Sequence, residues 1–326
     1  MNMEMIEAAA LRAMGAVRRT PLLSSPFIDE IAGRRVLVKP ECLQETGSFK
    51  FRGGWAAVSA LSPELRARGV IAYSSGNHAQ GVALAARRHG APAVVIMPSD
   101  APEMKIGNTR ALGAEVVLYD RRSGDRDAIG ARLCAERGLT LIKPFDDPQV
   151  IAGQGTTGIE IAEQAAAAGV TGGDVLVCCG GGGLTAGIAL ALEARAPGLC
   201  ARPAEPEGFD DVTRSLVSGA IERNERGDGS LCDAILTPSP GQITFPILRR
   251  LCGPGIVVSE DDTLRAMAVA FARLKIVLEP GGAVSLAAAL FHPKSIEAET
   301  VIVVATGGNV DPLVFRLALD RFGDGS

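Results

Sequence analysis

From about residue 69 the chain alternates short apolar runs with longer segments of helical spacing. Gly69-Val70-Ile71-Ala72-Tyr73 reads as a buried strand, followed by a helix over 78–88. Ala93-Val94-Val95-Ile96-Met97, ended by Pro98 and Ser99, is the next strand. A helix opened by Pro102 and stopped near Gly113 leads to a strand at 115–119. A further helix, about 125–137, leads to Thr140-Leu141-Ile142. Buried strands separated by helices need right-handed crossovers and therefore a parallel sheet.

A second alternation begins after Pro148. It predicts a helix over 158–168, a strand over 174–179, a glycine run, and an Ala-rich helix to about Arg195. Residues 203–256, rich in Pro, Gly and charge, predict irregular structure with an exposed loop over 222–228. Helices near 260–274 and 281–290 precede a last strand at 301–305. The early strand Val36-Leu37-Val38 belongs with this second block. The expected architecture is α/β: two lobes, each an open twisted parallel sheet flanked by helices, with a cleft between them. The large lobe takes 1–58 and 149–326, and the small lobe 59–148.

Composition narrows the function class. Apolar residues make up 47%, charged ones 21% and aromatic ones 4%, with a formal charge of −4. That is the profile of a soluble globular enzyme. Without a long Lys/Arg block there is no footprint for nucleic acid or an anionic membrane. The start, 1–15, predicts a short amphipathic helix, not a signal peptide, and no apolar run reaches the roughly 18–20 residues of a membrane span. Seven cysteines without a C-x-x-C spacing and three scattered histidines argue against a zinc site and for a reducing, cytoplasmic setting.

Candidate chemistry concentrates in four loops. Glu45-Thr46-Gly47-Ser48-Phe49-Lys50-Phe51-Arg52-Gly53 sets a lysine between aromatic and small residues. An apolar pocket would lower its pKa and let it attack a carbonyl to form a Schiff base; a packed stem with the ammonium at the rim is the structural alternative. Ser74-Ser75-Gly76-Asn77-His78 gathers hydroxyls and an amide at a strand end, either as ligands or as a helix cap. Gly180-Gly181-Gly182-Gly183-Leu184 opens a helix and predicts a phosphate cradle. Gly181-x-Gly183-x-x-Ala186, with Glu205 further on, also satisfies a relaxed dinucleotide fingerprint, which keeps a nicotinamide-dependent oxidoreductase open. Thr306-Gly307-Gly308-Asn309 is another polar strand end.

Together these motifs resemble the fold type II pyridoxal-phosphate enzymes, whose fold is that of the tryptophan synthase β chain, in the threonine/serine dehydratase and serine racemase branch. The matching stretches are Lys39-Pro40-Glu41-x-x-Gln44-x-Thr46-Gly47-Ser48-Phe49-Lys50-x-Arg52-Gly53, Ser74 to His78, Gly153-Gln154-Gly155-Thr156, Gly180 to Leu184, Glu279-Pro280-Gly281-Gly282-Ala283 and Thr306 to Asn309. The resemblance implies pyridoxal 5'-phosphate held covalently by Lys50. Phe49 would pack at its ring, Asn77 would bond the ring hydroxyl, and Gly180, Gly181, Gly182, Gly183 and Leu184 would bind the phosphate. Glu279 would lie at the cofactor, and Thr306 would face the pyridine nitrogen.

It implies further that Ser74, Ser75, His78 and Arg126 serve the substrate, with Ser75 also an acid/base opposite Lys50. For a divalent cation the candidates are Glu205, Asp228 and Asp233, but Gly229 replaces the glutamate expected before Asp233, which argues against a metal. The implied activity is an ammonia-lyase: β-elimination on L-threonine or L-serine to a 2-oxo acid and ammonia. Hydroxyaspartate ammonia-lyase and serine racemase are the alternatives on the same scaffold. A neutral Thr306 beside the ring nitrogen favours prompt elimination over transamination. The implied assembly is a homodimer whose partner is a small amino-acid substrate.

Overall fold

The computed structural model describes residues 1–101, 103–120 and 124–323. Two sheets organise the described residues. The larger has six strands in the order β1-β2-β10-β7-β8-β9: β1 Leu23–Ser24, β2 Arg35–Pro40, β10 Thr300–Ala305, β7 Gly173–Cys178, β8 Leu199–Pro206 and β9 Ile256–Val258. Only the β1–β2 pair is antiparallel. The smaller sheet, all parallel, runs β5-β4-β3-β6, with β3 Val70–Tyr73, β4 Ala93–Pro98, β5 Glu115–Tyr119 and β6 Thr140–Leu141.

Strand order matters for the site. In the large sheet, β7 leads outward to β8 and β9, whereas β10 returns on its other side. In the small sheet, β3 leads to β4 and β5, whereas β6 returns on its other side. Crossovers diverging to opposite faces leave a crevice at the carboxyl ends of such strand pairs, where ligands bind. The loops after β3, β6, β7 and β10 all open there.

Helix Lys50–Ser59 sits at the junction of the two sheets. Although its sequence continues from β2, Phe51, Ala57 and Val58 pack into the small sheet's core with Val70, Ala72 and Val95. Its other side is tied to the large lobe by Arg52, buried and bonded to Glu41 (2.7 and 2.8 Å) and Glu160 (2.7 and 3.0 Å). Lys39, also buried, reaches the same Glu160 at 2.6 Å. Truncating one member would strand a buried charge, so the network fixes the helix's position more surely than it adds stability.

Three segments differ from the sequence expectation. The helix expected at 158–168 begins ten residues earlier, as Pro148–Ala167, capped by Asp147. Gly153 and Gly155, outside the expected helix, lie inside this one. Residues 203–256 contain the end of β8, helices Asp211–Ser218 and Thr244–Leu251, and the first residue of β9, so their middle is the irregular part. The helix expected over 260–274 is α-helical over Glu260–Val269 and then widens to a π turn, Ala270–Leu274. Pro102, expected to open helix Glu103–Ala111, lies outside the described residues.

Candidate active site

Lys50 is delivered to the cleft by a loop clamped to the end of β10. Thr46 has φ +61°, a left-handed conformation that costs energy outside glycine. The Asn309 amide donates to its carbonyl at 2.7 Å. The Phe49 N–H donates to Thr306 O at 3.1 Å, and Ser48 bridges Gly307. Lys50 Nζ donates to Pro144 O in the loop after β6 (2.8 Å) and lies 5.0 Å from the Phe49 ring centroid. The surrounding protein lowers its pKa to about 8, an effect opposed in part by Glu279.

Lys50 and Phe49 line a cavity of about 190 Å³ between the sheets. Ser74, Ser75, Asn77 and His78 line it from the end of β3, and Gly180 to Thr185 from the end of β7. Gly182 has φ +88° and precedes helix Gly183–Arg195, so this is the one turn of the run that requires glycine for its backbone. A Cβ on Gly181 would strike the Phe145 ring at 2.3 Å, and one on Gly183 would lie 2.8 Å from Gln154 Oε1. The result is a cradle of bare amides at a helix N-terminus, suited to a phosphate.

The other predicted residues have particular environments. Asn77 Nδ2 donates to Glu279 Oε1 at 2.6 Å, and Asn309 Nδ2 donates to Asn77 Oδ1 at 2.7 Å. Burial pushes the Glu279 carboxyl up to about 7, even though Asn77, Lys105 and Lys50 favour its ionised form. His78 is buried with Nε2 2.9 Å from Ile142 O. That pairing assigns the proton to Nε2, and burial, with Lys50 nearby, lowers its pKa to about 3. It is a neutral wall residue and brings no charge to a substrate carboxylate. Ser74 Oγ accepts from Gly76 N at 3.1 Å. Thr306 is buried but does not line the cavity; Cys178, beside it, does.

Two assignments need correction. Arg126 does not line the cavity: its guanidinium lies over the Tyr73 ring (5.3 Å) and 3.5 Å from Asp127, at the exposed start of helix Arg126–Arg137. Nor do the three cation candidates converge. Glu205 is buried and accepts from Val212 N, Thr213 N and Thr213 Oγ1 (2.9, 2.7 and 2.6 Å), capping helix Asp211–Ser218 from within. The same burial removes it as a ribose ligand for a dinucleotide. Asp228 is on an exposed loop, and Asp233 pairs with Lys105 at 3.0 Å at the cavity wall. Among the described residues, no group of three or more His, Cys, Asp or Glu could hold a metal.

Sequence reasoning missed several lining residues. Pro144 and Phe145 carry no chemical signal. Gln154 and Asn309 stand inside quoted motifs but were given no role. Lys105, Thr185 and Thr237 reach the cavity only through the fold. Asp211 was also overlooked: it is buried near Glu205 with Oδ2 unpartnered, and it helps to push Glu205 up to about 8.

A carbonyl-reactive amine, a phosphate cradle and buried hydroxyls without oxygen or nitrogen partners (Thr185, Thr237) fit one cofactor. The pyridoxal-phosphate-dependent enzyme family model matches residues 13–307, and the chain belongs to that family. The cofactor is therefore pyridoxal 5'-phosphate, on a fold type II scaffold. The chain is 41% identical over 305 residues to an L-threo-3-hydroxyaspartate ammonia-lyase of Pseudomonas sp, covering 93% of each. It is similar to the crystal structure of a T.th. threonine deaminase at 45% identity and TM-score 0.90, covering 95% of this chain and 99% of that one. The serine racemase of Dictyostelium discoideum aligns with 35% identity and TM-score 0.89, over 95% of this chain and 99% of that one. These relatives place the chain among the ammonia-lyases and racemases of the family.

Proposed function

We propose that this chain is an ammonia-lyase acting on a β-hydroxy amino acid, L-threonine or L-serine, and yielding a 2-oxo acid and ammonia. The observation that carries the reading is Lys50, an amine with its pKa lowered to about 8 that shares one cavity with the glycine cradle and the Ser75 loop. Pyridoxal phosphate, when bound, supplies the sink for electrons left on the α-carbon. The chain's own residues do the rest.

Near neutral pH part of the Lys50 population is unprotonated and able to take the α-proton at Nζ. Pro144 O and the Phe49 ring restrain where that nitrogen sits. Ser74 and Ser75 bring hydroxyls to the same cavity, which His78, neutral because burial lowers its pKa to about 3, also lines. Loss of the β-hydroxyl as water leaves an enamine. On release it takes up one water and hydrolyses to the 2-oxo acid and ammonia.

A second reading, elimination from L-threo-3-hydroxyaspartate, has its own support: Lys105, paired with Asp233, lines the cavity and is a cationic group for a distal carboxylate, and the Pseudomonas relative bears that activity. The holoenzyme incubated with all three amino acids should release 2-oxo acid and ammonia in equal amounts, and the kcat/KM ranking chooses between the readings. If none of the three yields a 2-oxo acid, both readings are wrong.

A further inference from the structure

Gln154 is wholly buried, yet neither Oε1 nor Nε2 has a hydrogen-bond partner. It stands in helix Pro148–Ala167 and lines the cavity on its glycine side. Its Oε1 lies 2.8 Å from where a Cβ on Gly183 would be, and its Nε2 3.2 Å from where one on Gly53 would be. The amide thus lies between the helix that carries Lys50 and the first residue of helix Gly183–Arg195. Two further cavity-lining side chains share its condition. Thr185 Oγ1 is without an oxygen or nitrogen partner and lies against the Cys179 thiol, and Thr237 Oγ1 is unpartnered beside Gly180.

Buried polar atoms without partners are rare and destabilising, and an apolar residue of similar size would pack there at less cost. Their grouping around one anion cradle points to a ligand. No arginine lines the cavity among the described residues, and the run from Gly180 to Thr185 contains no lysine. Lys50 and Lys105 line the same cavity, but the run itself offers an anion only backbone N–H groups and the Thr185 hydroxyl, which raises the weight of each added donor.

We propose that Gln154 is a side-chain ligand of the phosphate group seated at Gly180 to Leu184, with Nε2–H donating to a phosphate oxygen. The Thr185 and Thr237 hydroxyls complete the shell. This rests on the reading of the glycine run as the phosphate seat. It adds a phosphate-selective side chain to a site otherwise built from backbone amides.

The test compares apoenzyme binding of pyridoxal 5'-phosphate with that of pyridoxal, which lacks the phosphate. Wild type should strongly prefer the phosphorylated form; without that preference the seat itself is misplaced, and the inference falls with it. Given the preference, Gln154→Leu should weaken pyridoxal phosphate binding about 10- to 100-fold, as expected for loss of a hydrogen bond to a charged group, and leave pyridoxal binding unchanged. The same variant should raise the Tm of the apoenzyme by removing two unpaired buried polar atoms. Gln154→Glu keeps the shape, adds a negative charge and should lose phosphate selectivity further, which covers the case in which the leucine variant folds poorly. An unchanged preference in these variants, or equal losses for both ligands, would overturn the proposal and leave Gln154 as a residue satisfied by water.

Discussion

Asn77 donates its side-chain amide to Glu279 across 2.6 Å, and this bond joins the loop after β3 of the small sheet to the turn that opens helix Pro280–Phe291 against the large one. The Asn77 carbonyl accepts from Asn309 at 2.7 Å. Three loops from two sheets therefore meet through one side chain, and at their junction stands Glu279, whose carboxyl burial pushes up to about 7.

Glu279 should consequently leave a mark on stability. Its folded pKa is about 7 against a reference of 4.5, so the neutral form is favoured on folding. Its contribution is complete below about pH 4.5 and is lost as pH rises through 7. The loss is on the order of 3 kcal/mol. Urea unfolding of the apoenzyme at pH 5 and pH 8 should show that decline in wild type and a smaller one in Glu279→Gln. Parallel pH profiles would mean that Glu279 is ionised throughout.

Lys50→Ala should lower kcat by roughly 1,000-fold or more, the usual scale of a lost positioned base. Borohydride treatment of wild type should fix the cofactor to the peptide carrying Lys50, as peptide mapping would show. Label on another lysine in wild type would remove Lys50 from its role.

Gly182→Asp should release the cofactor at least about tenfold faster in dialysis. Its φ of +88° would strain any side chain, at about 1–2 kcal/mol, and the new carboxylate would face the phosphate's own charge. Equal retention by mutant and wild type would put the phosphate elsewhere.

Ser75 lines the cavity together with Lys50. A lysine reaches one face of a planar carbanion, so inversion needs a proton carrier on the other face. If Ser75 serves that role alone, Ser75→Ala should abolish formation of D-serine from L-serine while deamination of L-serine stays within several-fold of wild type. Chiral chromatography beside a 2-oxo-acid assay measures both. Equal loss of the two activities would make Ser75 a carboxylate ligand instead.

Local chemistry was legible because it is written in contiguous residues. Buried strands appear as apolar runs, and a cradle of amides needs consecutive glycines. The Lys50 motif, Ser74 to His78 and Gly180 to Leu184 could therefore be picked out as candidates, along with the alternation that builds the two sheets. Arg126 came from the family resemblance alone, and here its guanidinium lies over the Tyr73 ring at the exposed start of its helix.

What folding alone decided were the meetings between distant segments. Lys39, Glu41 and Arg52 carry charge, yet all three are buried, in a network that ends on Glu160. Pro144 receives the Lys50 ammonium across 94 residues of chain. Gln154 is one more polar residue in a glycine-rich stretch until helix packing buries it unpaired beside Gly183. A side chain's ionisation and hydrogen bonding depend on what surrounds it in space. No local pattern of residues carries that information.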